Sequence, residues 1–225
     1  MSLHHSPRIV TDGLVLYLDA GNIKSYPGSG SYLYDLSYRP PTGNRTGTLL
    51  GGPPSYSSGS FTFDGTYDRI KWTTEYVAFA STYDFTWSAW VYPTSTSDEA
   101  AISRISIADD YMGIAGGKVF VSRAQGAGNV TGGTVTINNW WNIVGSGDSQ
   151  KLYVSLNGQE VNSGNHTTAF TAGFLSWCLG CLHDTYVTVA SGFSGKIAVA
   201  SVYNRCLTPT EILQNYNALK GRFGL

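Results

Sequence analysis

Carboxylates are the first side chains to consider, because paired carboxylates hydrolyse glycosidic bonds. The two groups must face each other across the sugar, and a Glu-x-Asp-x-Glu pattern provides this since alternate side chains of a strand share a face. The 225-residue chain has only four Glu, at positions 75, 99, 160 and 211, and none has that spacing. Two acidic pairs, Asp98-Glu99 and Asp109-Asp110, are adjacent residues that would point to opposite sides of a strand. We therefore expect no catalytic residue and no enzymatic activity.

Three cysteines, at positions 178, 181 and 206, are too few for a disulfide framework. The segment WCLGC (Trp177 to Cys181) has the spacing of a redox motif, but that motif needs the start of a helix to lower the thiol pKa, and this segment lies in an apolar, strand-like run. Zinc is a second interpretation, with four nominal ligands: Cys178, Cys181, His183 and Cys206. It requires a bulge or turn at Gly180, because positions 178 and 181 of a strand face opposite sides. We favour buried free thiols.

Aromatic rings are 13% of the residues, and exposed rings bind sugars and protein surfaces alike. Trp87, Trp90 and Trp141 fit strand patterns, in which large rings usually belong to the core. Four other rings are the candidates for contact with a glycan or a protein partner: Trp72, Tyr76, Tyr111 and Trp140. Because an amphipathic ring loses little entropy on binding either kind of partner, the sequence leaves both alternatives open.

The composition indicates which elements position these residues. Charged residues are 13% of the chain against about 25% in soluble domains, and Gly, Ser and Thr together make up about a third. The net charge of −1 disfavours nucleic-acid binding, and the aromatic content excludes a disordered chain. No stretch reaches the roughly 20 apolar residues of a membrane span, and the first ten residues lack the apolar segment of a secretion signal. We expect an all-β protein made in a cytosol, with neither nucleic acid nor membrane as a partner.

Strand patterns recur along the chain after a long irregular region over residues 25–60. In FTWSAWVY (Phe85 to Tyr92) large rings occur on both faces, which predicts a central strand. Further strands, including one at residues 133–137, follow at intervals of 8 to 12 residues, as in a sandwich or jelly roll. Asn157-Gly158 predicts a type I′ hairpin turn between two of them.

One helix is predicted near the C-terminal end of the sequence. Thr208-Pro209-Thr210-Glu211 has the pattern of a capping box with Pro at the first helical position. Ile212, Leu213, Tyr216 and Leu219 then mark one apolar face, and Gly221 is the predicted end of the helix.

Four segments occur in an order that resembles a known family. They are FTFDGTYDRI (Phe61 to Ile70), FTWSAWVYP (Phe85 to Pro93), WNIV followed by KLYVSLNGQEV (Trp141 to Val161), and GKIAVASVYNRCLTPTEILQNY (Gly195 to Tyr216). Together they resemble the laminin G-like branch of the concanavalin A-like jelly rolls. The resemblance implies an all-β, two-sheet antiparallel jelly-roll sandwich with one short C-terminal α-helix. It implies one domain over residues 13–225, preceded by an extended N-terminal arm, residues 1–12.

The same resemblance implies a structural calcium ion, because related jelly rolls often hold one with loop carboxylates and carbonyls. Asp64 and Asp68 flank the Asp-Gly turn and are the candidate ligands. The alternative, which we favour, is turn chemistry in which Asp64 accepts backbone amides ahead of Gly65. We expect no other cofactor.

The two ends of the sequence carry a narrower resemblance. GLVLYLDAGNIKSYPGSGSYLYDLS (Gly13 to Ser37) and NYNALKGRFGL (Asn215 to Leu225) are similar to jelly-roll virion proteins of tailed phages, especially those of marine cyanobacteria. This implies a non-enzymatic structural protein of the virion, present in many copies or as a homo-oligomer, with other capsid, neck or fibre subunits as partners. The alternative function is a carbohydrate-binding adhesion module that recognises a host-surface glycan.

Overall fold

Alternating apolar residues along short strands build two antiparallel sheets with a shared core. The computed structural model describes residues 7–37, 46–72, 84–105, 110–123, 128–166, 176–185 and 188–225. Within these ranges the strands are β1 (Leu14–Asp19), β2 (Tyr32–Tyr34), β3 (Thr46–Leu50), β4 (Ser55–Ser57), β5 (Ser60–Asp64), β6 (Arg69–Trp72), β7 (Phe85–Pro93), β8 (Glu99–Ile105), β9 (Asp110–Ala115), β10 (Lys118–Arg123), β11 (Gly128–Gly132), β12 (Trp141–Gly147), β13 (Lys151–Leu156), β14 (Gln159–Asn165), β15 (Ser176–Leu179), β16 (His183–Thr185), β17 (Thr188–Ala190) and β18 (Ser194–Tyr203). A helix, α1 (Pro209–Leu219), follows β18 and continues into a 3₁₀ turn, Lys220–Phe223.

The first sheet has the strand order β14-β13-β12-β7-β18-β5-β4. Strand β18 pairs with β7 along one edge, and it pairs with both β5 and β1 along the other. Strand β7 is central, as its sequence predicts: Phe85, Trp87, Ala89 and Val91 lie in the core between the sheets, and Trp90 lies on the opposite face. Both faces of β7 are buried because a helix covers the outer one.

The second sheet has the order β11-β10-β9-β8-β15-β6-β3-β2, and β16 pairs separately with β17. The two sheets confirm the predicted antiparallel jelly-roll sandwich. The strand predicted at residues 133–137 is wrong, since β11 ends at Gly132. Gly133 then adopts φ +67°, a left-handed conformation that turns the chain out of the strand.

Helix α1 lies on the outer face of the first sheet and begins as predicted. Thr208 Oγ1 accepts from the Glu211 amide at 3.3 Å, and Glu211 Oε2 accepts from the Thr208 amide at 2.9 Å. The predicted end at Gly221 is wrong, because the 3₁₀ turn carries the chain to the left-handed Gly224 (φ +75°). Among the described residues, no helix has the length and apolar character that a membrane crossing requires.

The described part of the N-terminal arm, residues 7–12, contacts α1. The Val10 amide donates to Asn215 Oδ1 at 2.8 Å, and Gln214 Nε2 donates to the Arg8 carbonyl at 2.7 Å. Tyr203 OH also donates to the Val10 carbonyl at 3.0 Å. Residues 8 and 10 are therefore attached to the domain's own helix.

The cysteine prediction is corrected by a disulfide bond between Cys178 and Cys181. Cys178 lies on the buried strand β15, and the left-handed Gly180 (φ +81°) turns the chain so that Cys181 reaches back to it. A bonded sulfur cannot be a free thiol or a zinc thiolate, so both interpretations are wrong for this pair. Cys206 is a free, half-buried cysteine.

Candidate functional site

The predicted aromatic contacts fall in three different environments. Trp72 is 3% exposed and belongs to the core between the sheets, so its prediction as an exposed platform is wrong. Tyr111 is half-buried on β9 and meets Phe120 edge to face at 4.8 Å. Tyr76 lies outside the described residues. Trp140 is half-buried at the outer face of the first sheet, where it meets other rings.

We call Tyr92, Trp140 and Phe223, all half-buried, the aromatic surface. The centroid of Trp140 lies 5.6 Å from that of Tyr92 and 4.7 Å from that of Phe223. Phe223 stacks on the buried Trp90 at 4.1 Å with an interplanar angle of 13°. The three partly accessible rings are thus held by contact with one another and by a ring beneath them.

Three different elements bring these rings together. Tyr92 ends the outward-facing series of β7, and Trp140 directly precedes β12, which pairs with β7. Phe223 comes from the 3₁₀ turn after α1. Phe223 is not indicated by the sequence, because Gly221 predicts a helix that ends before it. The signal in the sequence is Trp90, a large ring on the outer face of β7. Such a ring needs an apolar residue to cover it, and a residue near the C-terminal end of the sequence provides that cover.

Cations lie beside two rings of the aromatic surface and beside Tyr216 on α1. Lys196 Nζ lies 5.4 Å from the Tyr92 ring centroid, and Lys220 Nζ lies 5.5 Å from that of Tyr216 on α1. Within the described part of the chain neither lysine makes an ion pair. The Arg222 guanidinium lies 5.3 Å from the Phe223 centroid, and its charge is compensated by Asp19 at 2.5 Å. The lysines leave this end of α1 with uncompensated positive charge.

At the other end of α1, a cavity of about 310 Å³ opens between the start of the helix and β12, β13 and β14. Its lining residues are Ser146, Tyr153, Ser155, Gly158, Glu160, Cys206, Leu207, Thr208, Pro209 and Ile212. The predicted hairpin turn forms beside it, with φ +50° at Asn157 and +80° at Gly158. Cys206, a nominal zinc ligand, is the one cavity residue that the sequence offers as a site candidate, because the rest of the lining depends on strand register and on where the helix docks.

Burial determines the titration of two cavity groups. It raises the pKa of the Cys206 thiol to about 11, and nearby Asp148 adds to this rise. Burial also raises the pKa of Tyr153 to about 12, and the Tyr153 hydroxyl donates to Asp148 Oδ2 at 2.9 Å. Both groups are therefore uncharged at neutral pH, and the Cys206 thiol is a poor nucleophile there.

The candidate calcium ligands make the contacts of a turn. Asp64 Oδ1 accepts from the amides of Thr66 at 2.8 Å and Tyr67 at 3.2 Å, and Oδ2 accepts from the Thr66 hydroxyl at 2.6 Å. This hydroxyl is the main reason why the pKa of Asp64 is lowered. Asp68 Oδ2 accepts from the Asp64 amide at 3.1 Å. The described residues include no group of three or more His, Cys, Asp or Glu that could hold a metal ion. The turn interpretation accounts for Asp64, and the calcium prediction gains no support from these contacts.

Two other acidic side chains, those of Glu99 and Asp110, hold strands in place. Glu99 is buried, which raises its pKa, and it accepts from the Ser194 amide at 3.2 Å. Asp110 is buried between Arg104 and Arg123, at 3.0 and 3.1 Å. Glu99 thus fixes the backbone amide of Ser194, and Asp110 fixes two guanidinium groups inside the sandwich.

The strand order, the shared core and the helix on one sheet define the class of lectin-like jelly-roll sandwiches. The chain belongs to the concanavalin A-like lectin/glucanases superfamily, whose third laminin G family model matches residues 64–213. No curated protein sequence matches the chain.

Solved structures with this fold include enzymes and toxins. A Trypanosoma rangeli sialidase in complex with sialic acid has a TM-score of 0.68 and 16% identity, over 96% of this chain and 36% of its own. A mutant of that sialidase displaying trans-sialidase activity has a TM-score of 0.69 and 16% identity, over 94% and 34%. Botulinum neurotoxin type C, whose cell entry depends upon interaction with two ganglioside molecules, has a TM-score of 0.66 and 14% identity, over 92% and 51%. This chain thus spans between about a third and a half of these proteins.

The expectation that the chain has no enzymatic activity is corrected by these similarities, because several of the similar structures are sialidases. The absence of one carboxylate spacing excludes only the kind of hydrolase site that uses that spacing. At 12–18% identity the likeness shows the fold, and this fold is shared by sialidases and by toxin binding domains.

Proposed function

We propose that this protein is a carbohydrate-binding module and that the aromatic surface is where it binds. The observation that carries the proposal is the half-buried Trp140 held against Tyr92 and Phe223. Ring faces of this kind bury the apolar C–H groups of a sugar, and the fixed geometry reduces the entropy lost on binding. The sialic acid bound to the similar sialidase and the gangliosides required by the similar toxin support a sugar ligand.

The charges favour an acidic glycan. Lys196 lies beside the Tyr92 ring, and Lys220 lies beside Tyr216, which stacks on Trp90 beneath the aromatic surface. Neither lysine has a carboxylate partner among the described residues, and an ammonium group donates up to three hydrogen bonds. A sugar carboxylate placed beside the rings would supply the missing partner. We therefore propose a host-surface glycan with a terminal acidic sugar as the ligand.

Calorimetric titration with 3′-sialyllactose and lactose tests this function. Trp140→Ala removes one ring and should weaken the binding of sialyllactose by about 3- to 10-fold, since aromatic contacts contribute about 0.5–1.5 kcal/mol. Lys196→Gln should weaken the binding of sialyllactose and leave the binding of lactose unchanged, because only sialyllactose carries a carboxylate that the lysine attracts.

The matched control is Tyr32→Ala, which removes a 52% exposed ring on β2 of the second sheet. It should leave both affinities unchanged. A glycan array on which the unaltered protein binds no sugar at high concentration would end the proposal. Binding that Trp140→Ala leaves intact would move the site elsewhere.

We further propose that the module acts on the particle of a tailed phage, as a structural component of the capsid, neck or a fibre in many copies. The two segments that resemble virion proteins support this, because they form one unit: Asp19 is ion-paired to Arg222, and Tyr17 packs in the same cluster as Leu219. Attachment would then use residues 1–6 or the segment over residues 25–60 that contains β2, β3 and β4, which leaves the aromatic surface for host contact.

Labelled antibody fragments on imaged particles test the virion role. Label at a repeated position on intact particles is the expected result, and its absence from particles that contain every other structural protein contradicts the role. Deleting residues 1–6 keeps the contacts of Arg8 and Val10 with α1, so it tests attachment without loosening the domain. Particles that incorporate the truncated chain at the normal copy number would assign attachment to another segment.

A further inference from the structure

Strand register determines which side chains form the floor of the cavity beside α1. Ser146 on β12 lies opposite Tyr153 on β13, and Ser155 on β13 lies opposite Glu160 on β14. These four side chains therefore share the outer face of the sheet. The two serines are buried at 1% and 2% exposure, whereas Glu160 is exposed at the rim. Hydroxyl groups lie at the bottom and a carboxylate lies at the mouth.

The walls are apolar. Leu207 comes just before α1, Pro209 and Ile212 belong to the start of α1, and Tyr153 on β13 also lines the cavity. Among the described residues, the Ser155 hydroxyl makes no hydrogen bond, and Ser146 contacts the uncharged Cys206 thiol. A compact ligand with an apolar body fits these walls, and the volume of about 310 Å³ accommodates a body of one ring.

The uncompensated charge at this cavity is negative. Glu160 forms no ion pair among the described residues, and Asp148 lies beside Tyr153. The nearby cation, Arg205, is compensated by Glu211 at 2.6 Å and by Asp12 at 3.0 Å. Lys151 is two residues from Tyr153 on the same face of β13 but does not line the cavity. This sign is opposite to that at the aromatic surface.

We propose that this cavity is a second binding site, which takes a primary ammonium group carried on a compact apolar body. The ammonium donates to the Glu160 carboxylate and to the Ser155 hydroxyl, and the body packs between the Tyr153 ring and Leu207, Pro209 and Ile212. Two features add to the affinity: attraction between the cation and the Tyr153 ring, and removal of apolar surface from water. The site is separate from the aromatic surface and does not depend on glycan binding.

Three small probes of similar shape and different charge test this proposal: benzylamine, benzyl alcohol and benzoate. Each is titrated into the 225-residue protein while backbone amide resonances are followed by NMR. Benzylamine should shift the amides of Tyr153, Ser155 and Glu160 in a saturable way, benzyl alcohol should bind at least 5-fold more weakly, and benzoate should not bind.

Two variants locate the ammonium. Glu160→Gln keeps the size of the side chain and should weaken benzylamine at least 5-fold while leaving benzyl alcohol unchanged. Asp98→Asn removes one exposed charge next to β8 and should leave benzylamine binding unchanged. Equal binding of benzylamine and benzyl alcohol, equal losses in the two variants, or amide shifts confined to residues outside the cavity would each overturn the proposal.

Discussion

Asp110 shows how one buried charge organises neighbouring strands at the scale of a single residue. Its two oxygens accept from Arg104 on β8 and Arg123 on β10, and the Arg123 guanidinium also lies 4.9 Å from the Phe85 ring centroid on β7 of the opposite sheet. All three charged side chains are less than 5% exposed. In such a site each charge depends on its partners, because none of them is solvated by water.

Replacing Asp110 by Asn should therefore lower the free energy of unfolding by about 3–5 kcal/mol, since two guanidinium groups stay buried without their carboxylate. Urea denaturation followed by tryptophan fluorescence measures this loss. The exposed Asp98→Asn serves as the control and should change stability by less than about 0.5 kcal/mol. Equal stability of the two variants would mean that Asp110 does not hold these arginines.

The sequence indicates the environment of some of these residues and not of others. Trp140 was selected because it falls outside the alternating strand pattern, and the structure places it on the surface. Trp72 alternates with Ile70 on β6, and both are buried, so this period of two was already a signal of a core position. Asp110 could not be assigned in this way, since its partners lie on two other strands whose pairing the sequence does not state.

Helix α1 is the element that creates both proposed sites. Its first turn forms one wall of the cavity, and the 3₁₀ turn after its last residue supplies Phe223 to the aromatic surface. The capping box could be predicted, because it is local in sequence and its pattern is specific. The docking position could not, because it follows from the outward rings of β7 and from the contacts of residues 8–10 with Gln214 and Asn215.

Glu211 makes the stability that this helix start contributes depend on pH. Hydrogen bonds from Arg205, followed by those from Thr208, lower the pKa of Glu211 from 4.5 to about 2. A carboxyl group with a lowered pKa stabilises the fold above its unfolded-state pKa, and this contribution is lost as the pH falls through its folded-state pKa. Glu211→Gln should therefore be less stable than the unaltered protein at pH 7, and the difference should shrink between about pH 4.5 and 2. A difference that stays constant across this range would show that the Glu211 charge is not responsible.

At the scale of the whole molecule, the described residues form a sandwich in which α1 covers the outer face of the first sheet. That face would otherwise expose Trp90, Ala198 and Val199, which pack against Tyr216, Leu219 and Phe223. The fold class follows from sequence because alternation, turns and composition agree at every level. The location of the two sites does not follow from the sequence, because both lie where α1 meets a sheet whose strands come from distant parts of the chain.

Removing residues 204–225 should expose this apolar face and cause self-association. Size-exclusion chromatography with light scattering measures the association, and binding of a hydrophobic dye measures the exposed surface. Phe223→Ala is the milder comparison, since it removes one ring but keeps α1 in place. This variant should have the same mass distribution as the parent protein. A truncated chain with the parent's mass distribution and dye binding would contradict this account of the helix.

Strand β18 fills the gap between β7 on one side and β5 and β1 on the other, although it follows all three of them in the sequence. Until residues 194–203 leave the ribosome, β1 lacks a paired neighbour in the described structure, and one edge of β7 stays open. Until β18 has been made, the nascent chain therefore carries unpaired strand edges, which exposes it to mispairing with other chains. The first sheet closes only when β18 is added, and the helix that builds both sites docks only after that closure.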